Sequence, residues 1–253
     1  IINAWNPAYP DWERDVPVFT KEVIDVARQT GATVIIPGNV YVFGAETAVP
    51  WSENSLHGAK NRLGRIRVDM ERAYRTAGVR TIVLRAGDFI DTENSGNWFD
   101  LVLTAKFEKG TFVYPGPGDL AHAWAFLPDL ARAALALAER RMALPLFCDV
   151  PYEGYTLTGR ELHEALCAIS ERDLKYKRMS YLPIRIAAPF WRMGRALLEM
   201  RYLWTTAHRL DDSRFNELVP GFTRTSLADA LRKALPAVSI EQKVNPNQPV
   251  TTS

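Results

Sequence analysis

The sequence predicts an α/β protein, with a doubly wound parallel sheet over residues 1–150 and a smaller, mostly helical region over 151–253. Three observations predict it. Short, continuous apolar runs alternate with stripes of 3.6-residue period, the patterns of buried strands and amphipathic helices. The connections between them are short, and strand–helix–strand units of that kind build parallel sheets. The chain has 253 residues, 47% of them apolar and 24% charged, which suffices for one large or two modest domains with a sizeable core.

The elements follow in order. Ile1-Ile2 running into Asn3-Ala4 has the pattern of the end of a buried strand, and we expect sequence upstream of it. Val16, Phe19, Val23, Ile24 and Ala27 recur at helical spacing over 16–28, with Gly31 as a stop. Residues 33–36 form a buried strand closed by Pro37-Gly38, and 45–61 is a polar loop. A second helix over 62–77 turns Leu63, Ile66, Met70, Ala73 and Tyr74 inward and most of its arginines outward, and Gly78 ends it. Residues 81–85 are a second buried strand. Segment 92–127 is assignable to either region. A helix over 128–141 leads to a strand over 145–150. Beyond it, helices are expected from Thr158, over 183–201 and over 227–235, and the polar tail 242–253 should fray.

Composition narrows the function. The 31 Lys and Arg against 29 Asp and Glu leave a net charge of +2, which implies no nucleic acid and no anionic membrane as partner. No apolar run approaches the ~20 residues of a membrane span. Cys148 and Cys167 allow at most one bridge and are expected to be reduced thiols in a cytoplasmic protein. His57, His122, His163 and His208 have no metal-ligand spacing, so no metal is expected. Arg185, Arg192, Arg195 and Arg201 with Trp191 and Trp204 suggest a packed amphipathic helix with snorkelling arginines, or less favourably an anion-binding surface.

A parallel sheet binds its ligand at the C-terminal ends of its strands. Three such ends are visible: Asn3-Ala4-Trp5-Asn6, Gly38-Asn39-Val40-Tyr41 and Arg85-Ala86-Gly87-Asp88. Small and polar residues there are also ordinary turn chemistry. Asp88 and Asp91 are candidate polar contacts, although acidic loop residues are more often solvated.

The order of segments is more specific. Gly38-Asn39-Val40-Tyr41-Val42-Phe43-Gly44 is followed by a Pro50/Glu53 loop, an Arg67-to-Glu71 helix, Leu84-Arg85-Ala86 and Phe126-Leu127-Pro128-Asp129-Leu130-Ala131. This order resembles the extended short-chain dehydrogenase/reductase family, the NAD-dependent epimerase/dehydratases. The resemblance implies a Rossmann-like fold whose first, glycine-rich segment is absent from this chain, NAD or NADP as cofactor, a small-molecule substrate, and a homodimer through helix 62–77. It places Asn39 at the family's catalytic serine or threonine, Leu63 at its tyrosine and Arg67 at its lysine. Leu63 cannot move a proton, and Arg67 can hold a ribose but is too basic to relay one. The expected catalytic residues are therefore Asn39, Tyr41 and Arg67. Asn3, Ala4, Trp5, Gly38, Asn39, Arg67, Arg85 and Gly87 are expected at the cofactor. Two classes of function stay open: an enzyme of this kind with a non-standard active site, or a non-catalytic NAD(P)-sensing or assembly protein.

Overall fold

The computed structural model describes residues 1–241, with side chains to residue 235; the polar tail 242–253 lies outside the described residues. Its first sheet holds three parallel strands in the order β1 (Val34–Gly38), β2 (Thr81–Arg85), β6 (Phe147–Pro151). Residues 1–3 extend it beside β1, through a parallel bridge between Ile2 and Ile35 and hydrogen bonds of 2.8 and 2.9 Å.

Alternation along β1 sorts its side chains to two faces. Val34 and Ile36 pack with α1 (Trp12–Thr30) and α2 (Arg62–Ala77). Ile35, with Ile82 and Leu84 of β2, packs with α3 (Leu127–Glu139) through Leu130, Ala133 and Leu137. Helices on both faces explain why the strands are continuous apolar runs. Gly31 and Gly78 end α1 and α2 at φ 68° and 69°, a backbone region that glycine enters without steric penalty.

The chain leaves this sheet directly after β2. β3 (Asp88–Ile90) pairs in parallel with β5 (His122–Phe126), which pairs antiparallel with β7 (Tyr155–Leu157). β4 (Thr111–Tyr114) pairs with β8 (Lys175–Arg178). These strands, α4 (Gly159–Ser170) and α8 (Leu227–Glu241) share a core that includes Phe99, Phe112, Leu162 and Leu231. The crossing from β2 to β3 is tight: a Cβ on Gly87 would lie 2.1 Å from the Ala123 carbonyl oxygen.

Several expectations need correction. α1 begins at Trp12, four residues before the expected start, and its buried stripe runs through Trp12, Val16, Thr20, Ile24 and Ala27, while Phe19 faces outward. The helix expected over 183–201 breaks into α5 (Leu182–Ala187) and α6 (Arg192–Met200), followed by a 3-10 turn over Arg201–Thr205. Pro189 interrupts the ladder there. α8 continues past residue 235 to Glu241. Short strands β3, β4, β5, β7 and β8 carried too little apolar periodicity to be foreseen. α7 (Ser213–Leu218) completes the helices. No described helix is long and apolar enough to cross a membrane, and both cysteines are free thiols.

Candidate active site

The C-terminal ends of β1 and β2 bring two buried arginines close to the same loops. Arg85, at the end of β2, is fully buried. Its guanidinium donates to Glu71 at 3.0 and 2.8 Å, to Asp149 at 3.2 and 2.6 Å, and to the Asn39 carbonyl at 2.6 Å. Burial works against its charge, yet Asp149 and Glu71 outweigh that and hold its pKa above the ordinary arginine value. His57, from the polar loop, sits 3.6 Å from Glu71 and 3.7 Å from Asp149. Burial alone would raise Asp149, but Arg85 and His57 hold it below the usual carboxylate range. Ligand atoms of His57, Glu71 and Asp149 lie within 4.8 Å of one another, as a metal would require. Arg85 Nη2 already takes the same two carboxylate oxygens, so this cluster has its cation.

Arg67, on α2, is buried, and among the described residues no carboxylate forms an ion pair with it. One face stacks on Trp12 with its central carbon 3.8 Å from the ring centroid. Its fork donates to Asn6 Oδ1 and, at 3.4 Å, to Met70 Sδ. Among the described residues Nε is a buried donor without a partner. Burial pushes its pKa down to about 10.

Beside Arg67, the hydroxyls of Tyr41 and Tyr9 are 2.7 Å apart. Asn39 accepts from the Tyr41 backbone N–H at 3.1 Å and so sets the turn that carries the phenol, as an Asx turn does. Burial raises Tyr9 to about 12 and Tyr41 well above the ordinary tyrosine value, and the nearby Asp88 charge raises both further. The Trp98 indole hydrogen-bonds toward Tyr9 and meets Trp204 edge-on at 5.1 Å. Trp204 stacks on His122 at 4.3 Å, and His122 Nε2 lies 2.7 Å from Asp88 Oδ2. The Tyr202 hydroxyl, just after α6, reaches the Tyr41 carbonyl at 3.4 Å, and Arg192 donates to the Pro10 carbonyl at 2.6 Å. Residues 192–202 thus reach the backbone of the two segments that carry Tyr9 and Tyr41.

The expected site residues divide. Asn39, Tyr41 and Arg67 come together. Asn3 donates instead to the Tyr74 hydroxyl at 3.2 Å. Ala4 and Trp5 are exposed, and Trp5 stacks on Phe19 at 3.9 Å. Gly38 is shaped by packing, since a Cβ there would lie 2.6 Å from Val83. Gly87 is required by the approach to β5, and Arg85 belongs to the ion-pair cluster. Leu63 is fully buried. Sequence reasoning missed Tyr9, His122 and Trp98, which lie outside the strand-end motifs. The helical spacing of Trp12 was the only hint that the segment before it returns to this site.

No family model matches the sequence, nor does any curated protein. Solved structures do match in shape. A UDP-glucuronic acid 4-epimerase from Bacillus cereus, in complex with UDP-glucuronic acid and NAD, superposes with a TM-score of 0.71 at 14% identity, over 94% of this chain and 74% of that one. MoeE5 in complex with UDP-glucose and NAD gives 0.70 at 14% identity, over 95% and 78%. A nucleoside-diphosphate-sugar epimerase from Staphylococcus aureus gives 0.67 at 18% identity, over 91% and 75%. The fold is that of the NAD-dependent sugar epimerases. Among the residues expected at a dinucleotide, Arg67 fits one: its buried Nε has no partner, and it stands beside the Tyr41 hydroxyl.

Proposed function

We propose that this chain is an NAD(P)-binding protein of the epimerase/dehydratase type, acting on a nucleotide sugar through a site rebuilt around Tyr41 and Arg67. The observation that carries the reading is the Tyr41–Tyr9 hydroxyl pair at 2.7 Å beside the unpartnered Arg67 Nε. In this reading Arg67 and Tyr41 hold the nicotinamide ribose, with Asn39 fixing the Tyr41 turn. A bound nicotinamide supplies the hydride chemistry.

Tyr41 works as a neutral hydroxyl. Its pKa lies well above the ordinary value, so at neutral pH it keeps its proton and donates a hydrogen bond to the substrate oxygen. Arg67 stays protonated at neutral pH and places positive charge beside the developing oxyanion.

Epimerisation of UDP-glucose or UDP-glucuronic acid at the sugar C4, followed by NMR with NAD+ present, tests the reading. Y41F should lower kcat about 100-fold with little change in KM, the magnitude of a lost hydrogen bond to a developing oxyanion. An active Y41F contradicts it. The second reading, a non-catalytic NAD(P) sensor or assembly subunit, is favoured by Leu63 at the family's tyrosine position; it predicts cofactor binding without turnover. Either reading includes a homodimer through helix 62–77. The groove between α1 and α2, about 510 Å³, has Val16, Ile24, Met70 and Ala73 among its lining residues, and A73E should convert a dimer to a monomer in sedimentation. A monomeric wild type removes this part.

A further inference from the structure

We propose that the corner between α5 and α6 docks on a bilayer of anionic lipids, with Phe190 and its apolar neighbours entering the acyl region. Phe190 does not belong to the candidate active site. It is 97% exposed, and Ile186 and Leu182 before it are 70% and 62% exposed. Leu182 and Ile186 stand one turn apart on α5 and share a face. Phe190 follows in the turn that ends the helix, where its N–H donates to the Ala187 carbonyl at 3.0 Å. Single exposed apolar side chains are ordinary on a protein surface. A group of large ones at one corner marks a surface that something covers.

Charge identifies what covers it. Segment 174–198 holds Lys175, Lys177, Arg178, Arg185, Arg192 and Arg195 and no Asp or Glu. The net charge of +2 is a sum over the whole chain and hides this concentration of one sign. Arg195 serves the fold: it donates to the Ala188 and Pro189 carbonyls at 3.1 and 3.0 Å and so holds the corner in shape. Arg192 reaches the Pro10 carbonyl and comes within 3.8 Å of Asp11. Lys175, Lys177, Arg178 and Arg185 are exposed, and among the described residues no carboxylate pairs with them. Arg185, three residues after Leu182, lies beside it on the helix surface.

An apolar tip rimmed by unpaired cations is the chemistry of an interfacial anchor. Apolar side chains enter the boundary of the acyl region, while the cations meet lipid phosphates and bury their stems. With six residues, α5 lies on a bilayer and does not cross it. Shape favours lipid over an acidic protein, because a side chain as exposed as Phe190 projects from the surface, and a bilayer receives it without a matching pocket. Charge disfavours a second copy, because a symmetric contact through this corner would set its cations against themselves.

Co-sedimentation of the full chain with vesicles at low ionic strength tests this. Wild type should bind vesicles of equimolar phosphatidylcholine and phosphatidylglycerol, and should stay in solution with phosphatidylcholine alone. F190D should bind about tenfold more weakly, the worth of one large apolar side chain withdrawn from the bilayer. R185Q should bind about fivefold more weakly, the worth of one basic side chain beside an anionic surface. Because Phe190 buries almost nothing, F190D should keep the wild-type urea midpoint, which separates lost docking from lost folding. Wild type that ignores the anionic vesicles, binds phosphatidylcholine equally well, or is matched by F190D overturns the proposal. Two rival occupants have their own outcomes. Binding to polyglutamate but not to anionic vesicles would make the corner a site for an acidic chain. A lipid-free assembly in sedimentation velocity that F190D breaks would make it an interface between copies. Either result also overturns the proposal.

Discussion

Arg85 and Arg67 are both buried, arise from neighbouring elements, and are held in opposite ways. Arg85 meets two carboxylates and a carbonyl and has no donor left for a ligand. Arg67 meets an amide oxygen, a thioether and an indole face, and keeps an unpartnered Nε. Their protonation follows suit: paired charge holds Arg85 above its ordinary value, and unpaired burial brings Arg67 down to about 10. A buried cation with matched carboxylates ties elements together. One without them leaves a charge for something else to satisfy. On that ground we assign Arg85 to the fold and propose Arg67 for the site.

Breaking the first arrangement should have the largest effect. R85M leaves Glu71 and Asp149 buried without their cation and should destabilise the chain by about 3–5 kcal/mol in urea unfolding. A variant as stable as wild type would remove Arg85 from the framework.

The pH dependence is next in size. The folded Asp149 pKa lies below its ordinary value, so folded chains bind this proton less readily than unfolded ones. Its contribution is present above the usual carboxylate range and is lost as pH falls through the lowered folded value. D149N should flatten the decline of the urea midpoint below about pH 4; a decline of unchanged steepness would place it on other carboxylates.

R67M should have the smallest effect on stability, within about 1 kcal/mol of wild type, because it strands no carboxylate. A loss comparable to that of R85M would make Arg67 a second structural arginine and end the contrast.

How far the sequence spoke for itself differs between the two regions. The buried strands at 34–38 and 81–85 and the helices α1 and α2 that pack on them carry their own local periodicity, so they were legible. β3 has three residues and β8 reads Lys-Tyr-Lys-Arg, and such strands exist only because a partner strand fixes them. The site shows the same limit. Asn39, Tyr41 and Arg67 lie on segments whose order could be matched to a family. Tyr9 and His122 reach it from a 3-10 turn and from β5, by tertiary packing that leaves no spacing in the sequence. Arg85 was expected to face a cofactor because it ends a strand, where ligands bind. Glu71, four residues after Arg67, and the distant Asp149 draw it inward instead.

The central claim is that Arg67 is reserved for a ligand. Titration of NAD+ and NADP+ into wild type and R67M, followed by tryptophan quenching, tests it most directly, since Trp12 stacks on Arg67. The account predicts saturable binding of at least one dinucleotide by wild type and about tenfold weaker binding by R67M, the worth of one hydrogen bond from a charged donor. Equal affinity in the two proteins, or no binding of either dinucleotide by wild type, would contradict it.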